Sequence, residues 1–183
     1  MIDKNGKMAR ILIIYSTTDG HTLEICERIQ AVVEEQGHAP TLISIEDADR
    51  VDIAEFDKVV LGASIRYGRH AKRVYQFVEG KRALLESRPN AFFSVNVVAR
   101  KAEKNQPATN PYLQKFLRQI MWRPDELAVF AGKIDYPRYS FWDRQIIRLI
   151  MYITKGPTDP DAVVDFTDWQ QVDAFARKIS HFA

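Results

Sequence analysis

Five short apolar runs occur along the chain, and each is bounded by polar residues or by residues typical of turns. They cover residues 9–15, 40–45, 58–64, 90–96 and 127–134. The first and third runs are rich in β-branched residues and apolar at most positions, a pattern typical of strands that are buried on both faces. The sequence therefore predicts five strands of a parallel sheet.

Segments with apolar residues at helical spacing separate or follow these strands. They cover residues 22–36, residues 71–86, a stretch that opens at Asn110 and Pro111, and the C-terminal stretch from Thr167. Gly37 is expected to end the first helix. The Thr167 hydroxyl is expected to cap the last helix, with Gln170 reaching back in a capping box. Strands and helices that alternate in this way predict a doubly wound α/β domain.

The length and the segment pattern predict one domain with an insertion. A chain of 183 residues has the size of a single domain, and we place that domain at residues 9–183. Residues 1–8 are mostly polar, lack the apolar run of a signal peptide and are expected to form a disordered tail. Residues 135–166 are not needed for the alternation of strands and helices, and they are predicted to be an inserted segment that carries one helix.

Charge and composition narrow the possible chemistry. The 26 basic and 24 acidic residues leave a net charge of +2, which is too small to indicate nucleic acid as a partner. Cys26 is the single cysteine, so no internal disulfide forms, and its place on the apolar face of a helix indicates a core residue. No metal-ligand spacing, Ser-His-Asp order or carboxylate pair is present. We therefore expect no metal and a chemistry that belongs to an organic cofactor.

A polar loop follows the first predicted strand, at the edge of the sheet where doubly wound folds bind ligands. The loop from Ser16 to Thr22 carries four hydroxyl groups and one glycine and leads into a helix. Its backbone N–H groups and the positive end of that helix suit a phosphate, although an ordinary capped turn has the same composition. The glycine spacing fits neither a Walker loop nor the dinucleotide fingerprint, which favours a mononucleotide.

The string YSTTDGHT resembles the phosphate loop of flavodoxins, in which a run of Ser and Thr is followed by Gly, one residue and Thr. The resemblance covers almost the whole chain in element order and implies a five-stranded sheet of order 2-1-3-4-5 and FMN as cofactor. Asp19 replaces the usual threonine, so its carboxylate has to point away from the phosphate. The implied cofactor contacts are Thr17, Thr18, Asp19, Gly20, His21 and Thr22 in the first loop, Ser64, Arg66, Tyr67 and Gly68 in the second, and Ser94, Val95, Asn96 and Val97 in the third.

The resemblance also implies roles for some of these residues. Tyr67 would stack on the flavin ring, and Asn96 would hydrogen-bond to the edge of that ring. Tyr67 is equally consistent with a partly exposed loop residue. His21 is expected to serve the phosphate loop and not to act in acid–base catalysis.

Four longer strings, GASIRYG, FFSVNVVARK, WRPDELAVFAGKIDYPRY and FTDW, resemble the bacterial quinone-dependent protoporphyrinogen oxidases, which are flavodoxin-like enzymes of haem biosynthesis. This resemblance implies FMN-dependent oxidation of protoporphyrinogen IX, with electrons passed to menaquinone or ubiquinone. It also implies a peripheral location at the cytoplasmic side of the bacterial inner membrane. A flavodoxin-type electron carrier and an NAD(P)H:quinone reductase are the alternatives of the same fold.

The inserted segment contains a predicted helix at residues 139–155 with a wide apolar face. Arg144, Gln145, Arg148 and Lys155 form a polar stripe along one edge of this helix. Such a helix can lie in a membrane surface or cover a substrate or quinone cleft. It can also pack on its own domain or form the interface of a homo-oligomer.

Basic residues are expected at the carboxyl edge of the sheet, where they could pair with the two propionates of a porphyrinogen. Arg66 is one of them, and single arginines of this kind are more often solvated. The candidates for substrate contact are Arg69, Arg100, Lys101, Arg123 and Arg138.

Overall fold

The computed structural model describes residues 8–182, and of the predicted tail only Met8 lies within that range. The elements are β1 (Arg10–Ser16), α1 (His21–Glu35), β2 (Ala39–Ser44), β3 (Lys58–Ser64), α2 (Lys72–Glu86), β4 (Asn90–Asn96), α3 (Pro111–Gln119), β5 (Glu126–Ala131), β6 (Lys133–Asp135), α4 (Phe141–Ile153), β7 (Val163–Asp165) and α5 (Trp169–His181). Short 3-10 turns connect several of them. The predicted alternation is confirmed.

Five strands form a parallel sheet in the order β2-β1-β3-β4-β5. Alternate residues of each strand face two separate cores. Leu12 and Leu61 face the core that α2 and α3 cover, whereas Ile13 and Val60 face the core that α1 and α5 cover. The sheet is therefore buried on both faces, as the apolar strands predict, and the fold is the flavodoxin-like α/β fold.

The apolar residues that recur at helical spacing in α1 are buried, as predicted. Cys26 lies fully inside the core, where burial raises the pKa of its thiol well above the usual range. The predicted apolar residues of α5 are buried from Val172 to Ile179, but Trp169 at the start of the helix is 36% exposed. Gly37 ends α1 with a left-handed φ of 84°, which glycine adopts without strain.

The predicted end of the fifth strand and the predicted cap of the last helix are wrong. The fifth strand ends at Ala131, and the residues beyond Gly132 form β6, which pairs antiparallel with the unpredicted β7. The last helix is capped by Asp168, whose carboxylate accepts hydrogen bonds from the amides of Gln170 and Gln171. The Thr167 hydroxyl donates instead to the carbonyl of Ala131, the last residue of β5, at 3.0 Å. It therefore does not cap the helix.

The inserted segment forms a small third core. Ile134, Tyr136, Tyr139 and Met151 pack together and fix α4 against the end of the sheet. Ser140 caps α4, so the helix is shorter than the predicted residues 139–155. Among residues 8–182, no helix has the length and apolar character required to cross a membrane.

Gly62 of β3 has no space for a side chain, because the ring of Phe93 lies directly beside it. A Cβ atom at Gly62 would lie 2.1 Å from Phe93 Cζ, whereas a Cβ at Gly80, inside α2, would meet nothing within 4 Å. We expect Gly62→Ala to lower the free energy of unfolding by about 1–3 kcal/mol through overpacking. Gly80→Ala is the matched control and should raise it by about 0.5–1 kcal/mol. Urea unfolding measures both, and a Gly62→Ala variant as stable as the parent would contradict this packing.

Candidate functional site

A cleft opens at the carboxyl edge of the sheet, and the three predicted loops meet there. We call it the cleft. Its walls come from residues 17–19, 21–22, 64–68 and 95–98, together with Tyr112, Gly132 and Lys133. Tyr139, Ile147, Ile150 and Met151 of the inserted segment also line it. Twelve of the fourteen predicted cofactor contacts line the cleft: Thr17, Thr18, Asp19, His21, Thr22, Ser64, Arg66, Tyr67, Gly68, Val95, Asn96 and Val97.

The first loop has the backbone of an anion-binding turn. Gly20 caps α1 in the left-handed region with φ 92°, and no side chain satisfies the helix end. The Thr17 hydroxyl accepts from the Gly20 amide at 3.0 Å and fixes the turn. The first amides of α1 therefore have no partner inside the helix and carry the positive end of its dipole. This geometry suits a phosphate.

Thr22 supplies a direct test of that fit. Its side chain is buried and lines the cleft, and its Oγ1 has no hydrogen-bond partner among residues 8–182. A buried hydroxyl without a partner costs about 1–3 kcal/mol. An acceptor such as a phosphate oxygen would satisfy it, so the residues present fit a phosphorylated cofactor.

Asp19 is neutralised by an arginine from the second loop. Arg66 Nη1 donates to the Asp19 carboxylate at 2.6 Å, and Arg66 Nη2 lies 2.9 Å from the Asp143 carboxylate of α4. We call these three side chains the charge bridge. The bridge explains how a carboxylate is accommodated in a loop whose backbone suits a phosphate. Asp143 is a site residue that the sequence analysis missed, although the cap motif Ser140-x-x-Asp143 was visible.

Tyr67 stands beside the charge bridge with an unusual backbone. Its φ is 50°, which is uncommon for a residue other than glycine, and its side chain is 55% exposed. The Tyr67 hydroxyl donates to Asp143. Hydrogen bonds from Tyr67 and Ser140, together with the charge of Arg66, lower the pKa of Asp143. The Arg66 guanidinium lies 5.5 Å from the centroid of this exposed ring.

Both ring nitrogens of His21 are engaged by protein groups. Nδ1 lies 2.9 Å from Glu24, and Nε2 lies 2.7 Å from the Thr167 hydroxyl. The side chain therefore ties the start of α1 to the chain that precedes α5. Any contact of His21 with a phosphate would come from its backbone amide.

The side chain of Asn96 does not have the predicted freedom to bind a flavin edge. Its Oδ1 accepts from the Ala99 amide at 3.2 Å and from Asn110 Nδ2 at 3.1 Å, and its Nδ2 donates to Ser94 Oγ at 3.3 Å. Ser94 is fully buried and does not line the cleft. Gly20, also predicted as a contact, shapes the first loop without lining the cleft.

The predicted position of Arg123 is wrong. It lies in the connection from α3 to β5, which in a parallel sheet reaches the amino edge, opposite the cleft. Its guanidinium donates to the carbonyls of Ile120 and Trp122. The neighbouring Asp125 accepts from the amide of Asn90, the first residue of β4, which confirms that this loop is at the amino edge.

Arg100 and Lys101 also line no part of the cleft. The Arg100 guanidinium donates to the carbonyls of Val97 and Thr154 and to the Thr154 hydroxyl, so it holds the end of α4. Burial lowers the pKa of Arg100. Its role in the structure is to position the inserted segment.

Arg138 and Arg69 lie near the three loops. Arg138 is exposed, and its Nη1 lies 3.9 Å from the position that a Cβ on Gly20 would occupy, beside the first loop. Arg69 is exposed in the turn that follows Tyr67, where its amide and carbonyl pair with those of Arg66. These two candidates are therefore placed where an anionic ligand of the cleft could reach them.

Helix α4 covers the cleft, which is one of the alternatives that the sequence pattern left open. Ile147, Ile150 and Met151 face the cleft and form what we call the roof. Their spacing follows one helix face, but periodicity shows only that a face is apolar and not what it covers.

Comparisons with known proteins agree with this architecture. A family model described as a flavodoxin domain matches residues 12–161. Protoporphyrinogen IX dehydrogenase (quinone) of Escherichia coli strain K12 is 44% identical over 172 residues, which cover 94% of this chain and 95% of that enzyme. The protein of the same name from Leishmania major is 43% identical over 168 residues, covering 91% of this chain and 73% of that protein.

Solved structures share the fold at low identity. Flavodoxin 1 of Bacillus cereus has a TM-score of 0.51 at 15% identity, covering 96% of this chain and 100% of that chain. A flavodoxin of Streptococcus pneumoniae has a TM-score of 0.52 at 13% identity, covering 94% of this chain and 98% of that chain. The chain therefore belongs to the flavodoxin-domain family and, within it, to the family of the quinone-dependent protoporphyrinogen IX dehydrogenases.

Proposed function

We propose that this protein oxidises protoporphyrinogen IX to protoporphyrin IX and passes the electrons to a membrane quinone. The observation that carries this function is the 44% identity to the E. coli dehydrogenase over 94% of the chain. That match is long enough to include most of the inserted segment, which roofs the cleft. The protein is accordingly an oxidoreductase of haem biosynthesis and not only an electron carrier.

The flavodoxin domain implies a flavin cofactor, and FMN is the flavin that we propose. The amides at the start of α1 and the hydroxyls of Thr17, Thr18 and Thr22 would hold its phosphate. Tyr67 and the backbone of residues 95–98 would flank its ring. When bound, FMN supplies the acceptor for the electrons of the substrate.

The chain itself positions and shields the reactants. The roof residues Ile147, Ile150 and Met151 provide an apolar surface that excludes water from the cleft. Among residues 8–182, the cleft-lining side chains of Asp19 and His21 are both engaged by other protein groups. We propose that solvent takes the protons that the substrate releases.

The outer surface of α4 supports contact with a membrane. Trp142, Leu149, Tyr152 and Ile153 are between 60% and 77% exposed, and Arg144 and Arg148 lie on the same helix. Apolar side chains flanked by arginines are typical of helices that lie in a bilayer interface. A peripheral position at the cytoplasmic face of the inner membrane would give a lipid-soluble quinone access to the cleft.

The phosphate loop can be tested by removing two hydroxyls. We expect Thr18→Ala combined with Thr22→Val to weaken FMN binding by about 2–4 kcal/mol, because charge-assisted hydrogen bonds to the phosphate are lost. Titration of the apoprotein with FMN, followed by flavin fluorescence, measures the change. Thr41→Val, at an exposed site on β2, is the control and should bind FMN normally. Unchanged affinity in a folded double variant would remove the phosphate-loop assignment.

An anaerobic assay tests the activity. FMN-loaded protein is mixed with protoporphyrinogen IX and a menaquinone or ubiquinone analogue, and porphyrin fluorescence is followed. We expect fluorescence to grow only when both protein and quinone are present. Bound FMN without porphyrin formation would overturn the proposed reaction while leaving the fold and the cofactor site intact.

The membrane surface can be tested on the outer face of α4. Trp142→Glu combined with Ile153→Glu should reduce co-sedimentation with phosphatidylglycerol vesicles by at least about tenfold, because burial of apolar area in the interface is lost. Met121→Glu is the control, since Met121 is 72% exposed but lies in the connection at the amino edge. Equal vesicle binding by the double variant and the control would exclude α4 as the membrane contact.

A further inference from the structure

A second depression lies beside the cleft, between the loop after β3, the start of α2 and one side of α3. We call it the basic groove. It shares Thr18, Ser64, Arg66 and Tyr67 with the cleft, so the two depressions meet at the Tyr67 ring. A ligand larger than the flavin ring could therefore extend from one into the other.

Three cations line the basic groove. They are Arg69 in the loop, Lys72 at the start of α2 and Lys115 on α3. None of the three forms an ion pair with a carboxylate among residues 8–182, and Glu79 is the acidic side chain that lines the groove. Arg66, by contrast, is already compensated by two carboxylates. The groove thus carries a net positive charge that the protein does not neutralise.

The start of α2 adds to this potential. Ala71 occupies the N-cap and offers no side-chain hydrogen bond, and the first turn contains no acidic residue. Ala71 and Lys72 both line the groove. The free amides and the positive end of a 15-residue helix are therefore directed to the region that the three cations surround.

His70 gives an independent sign of a polar occupant. Its side chain is 2% exposed and forms part of the groove wall. Nδ1 lies 3.0 Å from the Ser64 carbonyl and so carries the proton, while Nε2 has no partner among residues 8–182. Burial lowers the pKa of His70 to about 4, so the ring is neutral at pH 7. The Nε2 atom itself is buried, and the ring packs edge-on against Phe92 and Phe116. A buried acceptor without a partner is satisfied by a donor, such as a water held between the ring and the groove.

We infer that the basic groove binds the carboxylate side chains of the substrate, with Arg69, Lys72 and Lys115 as their partners. This inference rests on the proposed function, because protoporphyrinogen IX carries two propionates on an otherwise apolar ring system. The apolar part lies under the roof, against the flavin, and the macrocycle passes Tyr67 so that the propionates reach the cations. Arg69 is the one member of this set that the sequence analysis selected.

The test compares a variant that loses two cations from the basic groove with a control variant that loses two cations elsewhere, so both have the same net charge. Lys72→Gln combined with Lys115→Gln removes two groove cations, and Lys81→Gln combined with Arg177→Gln removes two cations elsewhere. We expect the groove variant to raise the KM for protoporphyrinogen IX roughly tenfold, with kcat and FMN affinity within about twofold of the parent. The control should match the parent. The dimethyl ester of the substrate, which lacks both charges, should be oxidised with the same kcat/KM by parent and groove variant.

Two outcomes separate this inference from the function on which it rests. A groove variant whose KM equals that of the control, in an active enzyme, overturns the groove and leaves the oxidase function standing. A parent protein that forms no porphyrin overturns the function. In that case the affinity for protoporphyrin IX, measured by fluorescence titration of parent, groove variant and control, decides the groove: a roughly tenfold loss confined to the groove variant supports it, and equal affinities refute it.

Discussion

Parallel pairing of five strands is the constraint on which the rest of this structure depends. Parallel neighbours cannot be joined by a tight hairpin, so each of the first four strands is followed by a crossover that returns the chain to the opposite edge. The crossover helices cover both faces, and the loops that follow β1, β3 and β4 converge at one edge of the sheet. Side chains as distant in sequence as Thr22, Tyr67 and Val97 therefore line one cleft.

The charge bridge connects this common edge to the inserted segment. One guanidinium, that of Arg66, contacts carboxylates from the first loop and from α4. Because Arg66 and both carboxylates are partly shielded, their attraction is screened less than that of an exposed pair. The bridge links α4 to the loop after β1 and neutralises the Asp19 charge there. A single arginine thus connects this loop to the helix that forms the roof.

Two kinds of surface meet at Tyr67. The cleft is apolar under the roof and has hydrogen-bonding groups at the loop after β1, whereas the adjoining basic groove is open and cationic. The outer face of α4 is apolar again. Two apolar surfaces and one cationic surface therefore lie close together at the carboxyl edge of the sheet.

The sequence by itself determined the five strands of the parallel sheet, the helices and the polar loop after β1, because burial on both faces and helical periodicity are visible in the local order of residues. Tertiary structure decided what those elements meet. Asp168 and not Thr167 caps α5, because the Thr167 hydroxyl donates a hydrogen bond to the carbonyl of Ala131 at the end of β5. Arg123 lies at the amino edge of the sheet, opposite the cleft. The side chain of Asn96 is hydrogen-bonded to Asn110. Neither arrangement leaves a local pattern in the sequence. The position of α4 over the cleft likewise depends on pairings, such as Arg66 with Asp143, that only the folded chain creates.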